Sequence, residues 1–403
     1  MATTVPSFSA PPAIAQIGFV AWLRKNLFNS WFNSILTVII LAVLGSGAFR
    51  LIQWSFTGAK WKVIPANLPL YFAGRFPASE YWRLWILFAI VAVLSGLSWG
   101  NLAKNTPRLF SRTFLIGVGV IALVSVLLPI PLPYRLTLLG IEAALLGSAW
   151  LGKQVASAVP AIGAWMSLGW TLAFIVGLWL LAGGLGLKSV SANDWGGMLL
   201  TIFISLISIA LSFPMGVMLA LGRQSKLPII RGLSTIYIEV IRGLPLLSIL
   251  FFAAVMVPLF LPSNIRLNLV LRAVIGLTLF TAAYLAETIR GGLQSIPRGQ
   301  SEASRALGLS TPLTIALIVL PQALKISIPA IVGLFISLLQ DTTLLLIIGL
   351  FELLGISRAI LANPEFIGRY AEVYLFIGLI YWMLCYAMSW GSRKLENSLS
   401  TTR

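Results

Sequence analysis

The sequence predicts an all-α integral membrane protein with about ten transmembrane helices, or eight on a stricter count. Of its 403 residues, 59% are hydrophobic and only 10% are charged, whereas a soluble domain carries about a quarter charged residues. The mean hydropathy is +0.96. A soluble fold of this length cannot bury so much apolar surface, so lipid must surround much of the chain.

Ten apolar stretches approach the roughly 20 residues that a helix needs to cross the hydrocarbon layer. In chain order they are Ser34–Ile52, Leu84–Gly100, Phe114–Ile130, Leu136–Gly152, Ala164–Gly184, Met198–Gly222, Ile236–Phe260, Leu269–Ile289, Ser327–Leu350 and Val373–Gly391. The third and fourth stretches are short, which leaves eight spans as the alternative. Before them, Met1–Gln16 is polar and rich in proline, and we expect a disordered tail there rather than a signal peptide.

The net charge is +17, from 28 Lys and Arg against 11 Asp and Glu. In a soluble protein this excess would indicate nucleic acid. Here the basic residues lie mostly between apolar stretches and without interleaved aromatic residues, so we expect no nucleic-acid partner. The chain has no histidine and a single cysteine, Cys385, which excludes an intramolecular disulfide and a metal site built from His and Cys.

The distribution of Lys and Arg predicts the orientation of the second half through the positive-inside rule. If the loops Gly222–Ile236 and Arg290–Lys325 and the C-terminus are cytoplasmic, that side holds more basic residues than the other. The cytoplasmic set is Arg223, Lys226, Arg231, Arg290, Arg298, Arg305, Lys325, Arg393, Lys394 and Arg403, and the opposite set is Lys188, Arg266, Arg272, Arg358 and Arg369. We therefore expect a cytoplasmic C-terminus.

The sequence predicts two regions that meet near Lys188. Residues 1–187 contain the tail, additional transmembrane helices and a periplasmic loop from about Gln53 to Arg83, without a motif of recognisable chemistry. Residues 188–403 contain five spans and a long loop, 290–325. The functional motifs lie in this second region.

The loop 290–325 has the sequence pattern of two short helices at the membrane surface. The first, Gln300–Leu307, ends before Gly308, where a left-handed cap is needed. The second is expected to run from Thr311, as N-cap, to Leu320 and to be stopped by Pro321. Loops between membrane spans are usually short, so this pattern indicates a separate function.

One face of the first short helix suits docking into a groove of a partner protein. Ala303, Ala306 and Leu307 share that face. Their small side chains allow close approach, while Glu302 and Arg305 can fix the register. The alternative is an amphipathic helix that rests on lipid headgroups. That helix would need large apolar residues and several lysines, which the segment lacks, so we favour docking.

The same loop contains Glu302, Ala303, Ser304, Gly308, Ile318, Leu320 and Pro321 in a fixed spacing, with Arg305 among them. This pattern resembles the EAA motif of the permease subunits of ABC importers, with Ser304 in place of the usual second alanine. The resemblance implies that the loop is the coupling helix, which sits in a cleft of the ATP-binding subunit. It also implies that Glu302, Ala303 and Gly308 carry the coupling role.

Further stretches are similar to the polar amino acid subfamily of these permeases. They are Tyr237–Pro245, Tyr284–Gly291 and Gln340–Leu344, within a resemblance that extends from about Asp194 to Asn397. The long form is similar to permeases of general or neutral L-amino-acid importers. The resemblance implies a multi-pass protein of the bacterial cytoplasmic (inner) membrane. Its implied partners are a second, related permease chain, an ABC ATPase dimer and a periplasmic amino-acid-binding protein.

Ionisable residues within membrane spans are functional candidates. Glu239 and Arg242 lie three positions apart, as do Glu287 and Arg290, and both pairs lie near a helix end that we expect to be cytoplasmic. Each pair can neutralise itself, or its arginine can reach the membrane surface. The other interpretation places Glu239, Arg242 and Glu287 on the substrate pathway.

Asp341 differs from these pairs because no basic residue lies within four positions of it. A carboxylate in the membrane needs a cationic partner, and the α-ammonium of an amino acid is one. Gln340, Thr342 and Thr343 could supply further hydrogen bonds. The alternative partner is an arginine of another helix or subunit. Two residues depart from the subfamily and bear on the substrate: Gln340 replaces a lysine, and Ile249 replaces a frequent glutamine.

Two further features concern the mechanism of transport. Gly243 and Pro245 are expected to break the helix that starts at Ile236, which suits a translocation path.

The segment most like a phosphate-binding loop, Gly183–Ser189, lacks the required glycine before its lysine. We therefore expect no catalytic residue and no cofactor in this chain, and ATP and Mg to be bound by the partner ATPase.

These observations predict the membrane-spanning permease of an ABC importer for amino acids. A secondary transporter driven by an ion gradient is the rival, and it would be expected to show related halves with paired interrupted helices. A membrane scaffold is the third alternative, and it gives no role to Asp341 or to the broken helix. The docking loop favours the importer.

Overall fold

The structure is a computed structural model that describes residues 18–400 except 107, 129, 160–161, 263 and 265. The predicted tail Met1–Gln16 lies outside these residues. The chain forms two compact units, Met1–Lys60 and Trp61–Arg403. The described residues are almost entirely helical, which confirms the predicted fold class. This division does not test the predicted boundary between two regions near Lys188, which stays a prediction.

The first unit consists of two helices, α1 (Phe19–Asn26) and α2 (Trp31–Thr57). Ser30 caps α2, since its hydroxyl accepts a hydrogen bond from the Asn33 amide at 3.2 Å. None of the α2 side chains is buried within the structure, although the helix is apolar on all sides. This pattern is typical of a helix that is surrounded by lipid.

The second unit contains all remaining helices. They are α3 (Val63–Ala66), α4 (Leu68–Ala73), α5 (Tyr81–Leu102), α6 (Arg112–Leu127), α7 (Leu132–Ala158), α8 (Ile162–Ala182), α9 (Gly197–Arg223), α10 (Pro228–Gly243), α11 (Leu246–Phe251), α12 (Val257–Phe260), α13 (Leu269–Gln294), α14 (Arg298–Ala306), α15 (Thr311–Thr314), α16 (Leu320–Asp341), α17 (Leu353–Leu361) and α18 (Tyr370–Ser400). Five-residue π turns join α11 to α12 and α15 to α16, and a 3₁₀ segment, Thr342–Ile348, follows α16.

Eight helices in the described residues are long and apolar enough to cross a membrane. A ninth candidate is the pair formed by α10 with α11–α12, which bends by 107°. The higher estimate of ten spans is not reached because α6 has only 16 residues. The sequence places Pro129 and Pro131 directly after this helix, and proline cannot continue the helical hydrogen bonding. The helix of the fourth stretch, in contrast, has 27 residues and is not short.

The additional helices of the first region pack through small residues. At Gly100 on α5, an added Cβ atom would lie 2.2 Å from the Ala149 carbonyl oxygen of α7. Only glycine therefore permits this close approach of the two backbones. On the same helix, Trp99 stacks on Trp390 of α18, with ring centroids 5.3 Å apart, and the Lys394 amine lies 3.1 Å from the Trp99 ring centroid. These contacts attach α5 to the last helix of the second region.

The second region is organised around α9, α13 and α16, and α13 is its most buried span. Two buried hydroxyl groups of α9, those of Thr201 and Ser205, form hydrogen bonds along the helix. The Ser205 hydroxyl donates to the Thr201 carbonyl at 2.7 Å, and the Thr201 hydroxyl donates to the Gly197 carbonyl at 3.1 Å. The helix can therefore carry these hydroxyls through an apolar core without a desolvation penalty.

Two helix boundaries near proline differ from expectation. The predicted break at Gly243 and Pro245 is confirmed, but the helix before it begins at Pro228 rather than at Ile236. Pro321 does not stop the second short helix. The π turn Ile315–Val319 widens the hydrogen-bond pattern just before it, so the missing proline N–H is accommodated and the helical path continues from Thr311 to Ile348.

The continuation past Pro321 shortens the predicted loop 290–325. Because α13 extends to Gln294 and the next helix begins at Thr311, with Ser310 rather than the predicted Thr311 at the N-cap position, the connection between the two spans consists of residues 295–310. The second surface helix predicted for this loop is instead the first part of a 38-residue span. Only α14 lies between the two spans as a separate helix.

Candidate functional site

The helix α14 is a short exposed helix with a well-defined end. It starts after Pro297 and ends before Gly308, whose φ of 81° confirms the predicted left-handed cap. The Gly308 amide donates to the Arg305 carbonyl at 2.9 Å, and the Leu309 amide donates to the Ser304 carbonyl at 3.1 Å. These two bonds satisfy carbonyls that the helix end would otherwise leave free.

One side of α14 packs on the rest of the molecule, while the other side is open. Ser304 is only 3% exposed, and its hydroxyl donates to the Gln300 carbonyl at 2.7 Å. The internal bond reduces the cost of burying this serine hydroxyl. Glu302, Ala303 and Arg305 are exposed. The surface formed by these exposed side chains is called the α14 face below.

The remaining positions of the predicted motif lie outside α14. Ile318 belongs to the π turn and is half-buried, as is Leu320 at the start of α16, while Pro321 is exposed. The Gln322 side-chain amide on α16 donates to the Gln300 side-chain oxygen on α14 at 3.3 Å. The two parts of the motif are therefore connected, and the second part forms the irregular start of a membrane span.

Five charged side chains from α9, α10 and α13 form a network at the end of the bundle next to α14, called the α14 end below. Its centre is Glu287, which pairs with Arg223 at 3.0 Å, with Arg242 at 4.0 Å and with the adjacent Arg290. Arg223 also pairs with Glu239 at 2.6 Å. Three positive and two negative groups thus hold three helices together, and their mutual pairing reduces the cost of placing charges near lipid.

The network differs from the local pairs that the sequence suggested. The pair between Glu287 and Arg290 is present, but Glu239 pairs with Arg223 of the preceding helix, and Arg242 pairs with Glu287. In the sequence, Arg223 is evidence only for the orientation of the chain in the membrane. Its position as the last residue of a span, sixteen residues before Glu239, gave no indication of this contact.

Asp341 is the last residue of α16, and it is half-buried. Within the described residues its carboxylate has no hydrogen bond and no ion pair. The hydroxyls of Thr342 and Thr343 donate to the Leu339 and Gln340 carbonyls, at 2.7 and 2.8 Å. None of these neighbours therefore neutralises Asp341.

The two neighbours of Asp341 differ in exposure. Thr342 is fully buried, whereas Gln340 is exposed and its side-chain amide lies 3.7 Å from the Cys385 sulfur on α18. Of the three predicted pathway residues in this segment, Asp341 and Gln340 are therefore accessible. Thr342 instead packs into the interior of the protein.

A buried carboxylate that was not predicted from the sequence lies just after this segment. Glu352 is fully buried and caps α17, accepting hydrogen bonds from the Leu354 and Gly355 amides, both at 2.8 Å. Burial raises the pKa of the Glu352 carboxyl, while the two amide donors and Tyr381 partly lower it. A glutamate directly before a mostly apolar stretch, which forms the nine-residue helix α17, was the available indication of such a cap.

A bundle of membrane helices with an exposed helix between two spans and an ion-pair network beside it defines a multi-pass membrane transport subunit. The family model of the binding-protein-dependent transport system inner membrane component matches residues 212–401. The chain belongs to this family of inner-membrane permeases of ABC transporters. The predicted resemblance and the predicted permease role in import are thereby confirmed.

Two similar proteins extend over nearly the whole chain. The inner membrane amino-acid ABC transporter permease protein YhdY of Escherichia coli is 34% identical, over 95% of this chain and 94% of its own length. The glutamate/glutamine/aspartate/asparagine transport system permease protein BztC of Rhodobacter capsulatus is 36% identical, over 96% and 95%.

Shorter proteins match about half of the chain. The probable glutamine ABC transporter permease protein GlnP of Bacillus subtilis is 40% identical over 50% of this chain and 91% of its own length. Among solved structures, an amino acid ABC transporter with histidines is 29% identical, covers 50% of this chain and 92% of that chain, and has a TM-score of 0.45.

Proposed function

We propose that this chain carries amino acids across the membrane in an importer driven by ATP, with the substrate delivered by a periplasmic binding protein. The observation that carries the proposal is the α14 face, which exposes Glu302, Ala303 and Arg305 between two membrane spans. An ATPase dimer is the partner for this face. ATP and Mg belong to that partner, and the chain itself is a transport subunit without catalytic residues.

The closeness of α14 to the ion-pair network suggests how a movement of α14 is transmitted to the transport path. Glu287 and Arg290 lie in the last turns of α13, directly before the connection that carries α14. A displacement of α14 by the ATPase would therefore act on the contacts between Glu287, Arg223 and Arg242. We propose that Glu239, Arg242 and Glu287 hold the inner end of the pathway and that their pairing changes between its two states.

Asp341 is the proposed contact for the α-ammonium of the substrate. Its carboxylate is half-buried and unpaired within the described residues, which is costly unless a cation joins it. Gln340 is accessible beside it and has hydrogen-bond donors for a substrate carboxylate. Thr342 supports this segment from the interior, where it is fully buried.

The remaining partners and the orientation follow from the same proposal. A second, related permease chain completes the pathway, and the C-terminus and the α14 end lie in the cytoplasm. Residues 1–187 form an added helical region and residues 188–403 form the transport core. The full-length relatives YhdY and BztC are amino-acid permeases, which supports the same substrate class here.

Reconstitution tests the proposal directly. The chain is placed in vesicles with its second permease, the ATPase and the binding protein, and uptake of radiolabelled amino acids is measured with and without ATP. We expect uptake that requires ATP and is unaffected when ion gradients are dissipated. Uptake that persists without ATP but follows an ion gradient would overturn the proposal in favour of a secondary transporter.

A charge reversal on the α14 face separates docking from folding. Glu302→Lys is expected to leave membrane insertion intact while ATP hydrolysis no longer drives uptake, since Glu302 is exposed and makes no ion pair within the described residues. Lys325→Gln, on the exposed surface of α16, serves as the control and is expected to retain uptake. Normal coupling in Glu302→Lys would contradict a role for this face.

A further inference from the structure

A groove of about 420 Å³ lies where α9 turns into α10. Lys226 and Arg231 supply two positive charges to its lining, and Ser225 and Thr235 supply two hydroxyl groups. The groove begins two residues after Arg223, the last residue of a membrane span. It therefore lies at the membrane surface of the α14 end, where headgroups of lipids are found.

The two cations in the groove are not neutralised by the protein. Within the described residues, neither Lys226 nor Arg231 takes part in an ion pair. The sequence has no acidic residue between Asp194 and Glu239, and Glu239 is already paired with Arg223 at 2.6 Å. A site with two unpaired cations and two hydroxyls is suited to an anion with several acceptor oxygens.

An apolar stripe runs along α10 beside the groove. Ile229, Leu233, Ile236 and Val240 follow at helical spacing and are 76%, 64%, 62% and 54% exposed. The opposite side of the helix is buried, with Ile238 fully covered. A basic groove next to an exposed apolar stripe is the arrangement that an amphiphilic ligand requires, with its charged head in the groove and its hydrocarbon along the stripe.

A glycine in the middle of α10 keeps the groove open. Gly232 lines the groove, and an added Cβ atom would meet no atom within 4 Å. Glycine in a helix interior destabilises the helix relative to alanine. Since no close packing requires it here, the open volume is the feature that Gly232 provides.

We propose that the groove binds the phosphate headgroup of an anionic membrane phospholipid, with the acyl chains along the stripe of α10. The groove is distinct from the α14 face and from Asp341. Its helix carries Glu239 and Arg242, so the bound lipid holds α10 against the network at the α14 end. A soluble phosphate would supply the same headgroup chemistry, but it would leave the exposed stripe uncovered.

Lipid binding is measured on the purified full chain in neutral detergent by native mass spectrometry, with titration of phosphatidylglycerol and of phosphatidylcholine. We expect tighter binding of phosphatidylglycerol. Each cation near an anionic lipid contributes about fivefold in affinity, so Lys226→Gln combined with Arg231→Gln is expected to weaken phosphatidylglycerol binding about 25-fold. Phosphatidylcholine binding should change little.

A second variant tests the groove without removing charge. Gly232→Leu fills the open volume, and because nothing lies within 4 Å of its Cβ position the helix can accept it. We expect a loss of phosphatidylglycerol binding similar to that of the charge variant. The matched control, Lys104→Gln with Arg108→Gln, removes two exposed charges from the connection between α5 and α6 and should retain wild-type binding.

Three outcomes would overturn the proposal. The first is equal phosphatidylglycerol binding by the wild type, the charge variant and Gly232→Leu. The second is displacement of the lipid by glycerol 3-phosphate at comparable concentration, which would assign the groove to a soluble phosphate. The third is loss of ATPase binding by the charge variant with lipid binding intact, which would assign the groove to a protein partner.

Discussion

The Tyr381 hydroxyl donates a hydrogen bond at 3.0 Å to the carboxylate of Glu352, and this bond joins α18 to the start of α17. The Leu353 amide, next to Glu352, donates to the Thr201 hydroxyl on α9 at 3.1 Å. The consecutive helices α17 and α18 thus meet α9, which lies far from both in the sequence, at one polar point. The 3₁₀ segment that follows Asp341 leads directly into this point.

Removal of the Tyr381 hydroxyl tests this junction. Tyr381→Phe leaves the ring in place but takes one donor from a fully buried carboxylate that keeps its two amide donors. We expect a loss of about 1–2 kcal/mol in the free energy of unfolding. Thermal unfolding in detergent measures it. Tyr386→Phe on the same helix is the control, since Tyr386 is 52% exposed, and an equal effect in both variants would contradict the role of the bond.

Substitution of the central carboxylate tests the ion-pair network. Glu287→Gln removes the partner of three arginines, so their mutual repulsion should separate α9, α10 and α13. Because the Glu287 side chain is 22% exposed, solvent screens part of the effect, and we expect a destabilisation of about 1–3 kcal/mol. Chemical denaturation in detergent measures it.

The control for the network is an exposed ion pair elsewhere. Glu365 lies 3.7 Å from Lys62, and the two side chains are 60% and 83% exposed. Such a pair contributes little, so Glu365→Gln is expected to leave stability nearly unchanged. If both variants lost the same amount of stability, the ion-pair network around Glu287 would contribute no more than an ordinary surface ion pair, which would contradict its proposed role.

The left-handed cap of α14 gives a test of backbone geometry. Gly308 has a φ of 81°, and an added Cβ atom would meet no atom within 4 Å, so any cost of substitution is conformational. Gly308→Ala is expected to cost about 1–2 kcal/mol locally and to change the direction of α14, whereas Gly308→Asn should be better tolerated. The ratio of uptake to ATP hydrolysis in the reconstituted complex should fall in the alanine variant and recover with asparagine.

The close crossing of α5 and α7 gives a test of the additional helices. Gly100→Leu places a side chain 2.2 Å from the Ala149 carbonyl oxygen, so the two helices must separate. We expect a lower yield of folded protein in size-exclusion chromatography. Gly147→Leu is the control, because an added Cβ atom there meets no atom within 4 Å. Normal yield of both variants would contradict the packing.

The charge at Asp341 is tested by transport kinetics. Asp341→Asn keeps the size of the side chain but removes the charge that we propose for the substrate ammonium. The apparent KM for amino-acid uptake should rise at least about tenfold, since a charge-assisted hydrogen bond contributes about 1.5–3 kcal/mol. Ser337→Ala, one helical turn earlier on α16, is the control. Unchanged kinetics in Asp341→Asn would remove it from the pathway.

The sequence alone determined the features that depend on local composition. Long apolar stretches require lipid whatever their neighbours are, so the helical membrane fold was predictable, and the spacing from Glu302 to Gly308 fixed both a short helix and its left-handed end. The break at Pro245 was predictable for the same reason, because proline lacks the N–H that the helix needs.

Only the tertiary structure decided the contacts between distant segments. Glu239 and Arg242 had a plausible partner three positions away, yet packing of α9 beside α10 brought Arg223 closer to Glu239. Pro321 was expected to end a helix. The π turn before it accommodates the missing proline N–H, so the span continues past Pro321. The burial of Glu352 likewise depends on a helix, α9, that begins more than 150 residues earlier, at Gly197. Long-range pairing is set by how helix faces fit together, and a single sequence does not specify that fit.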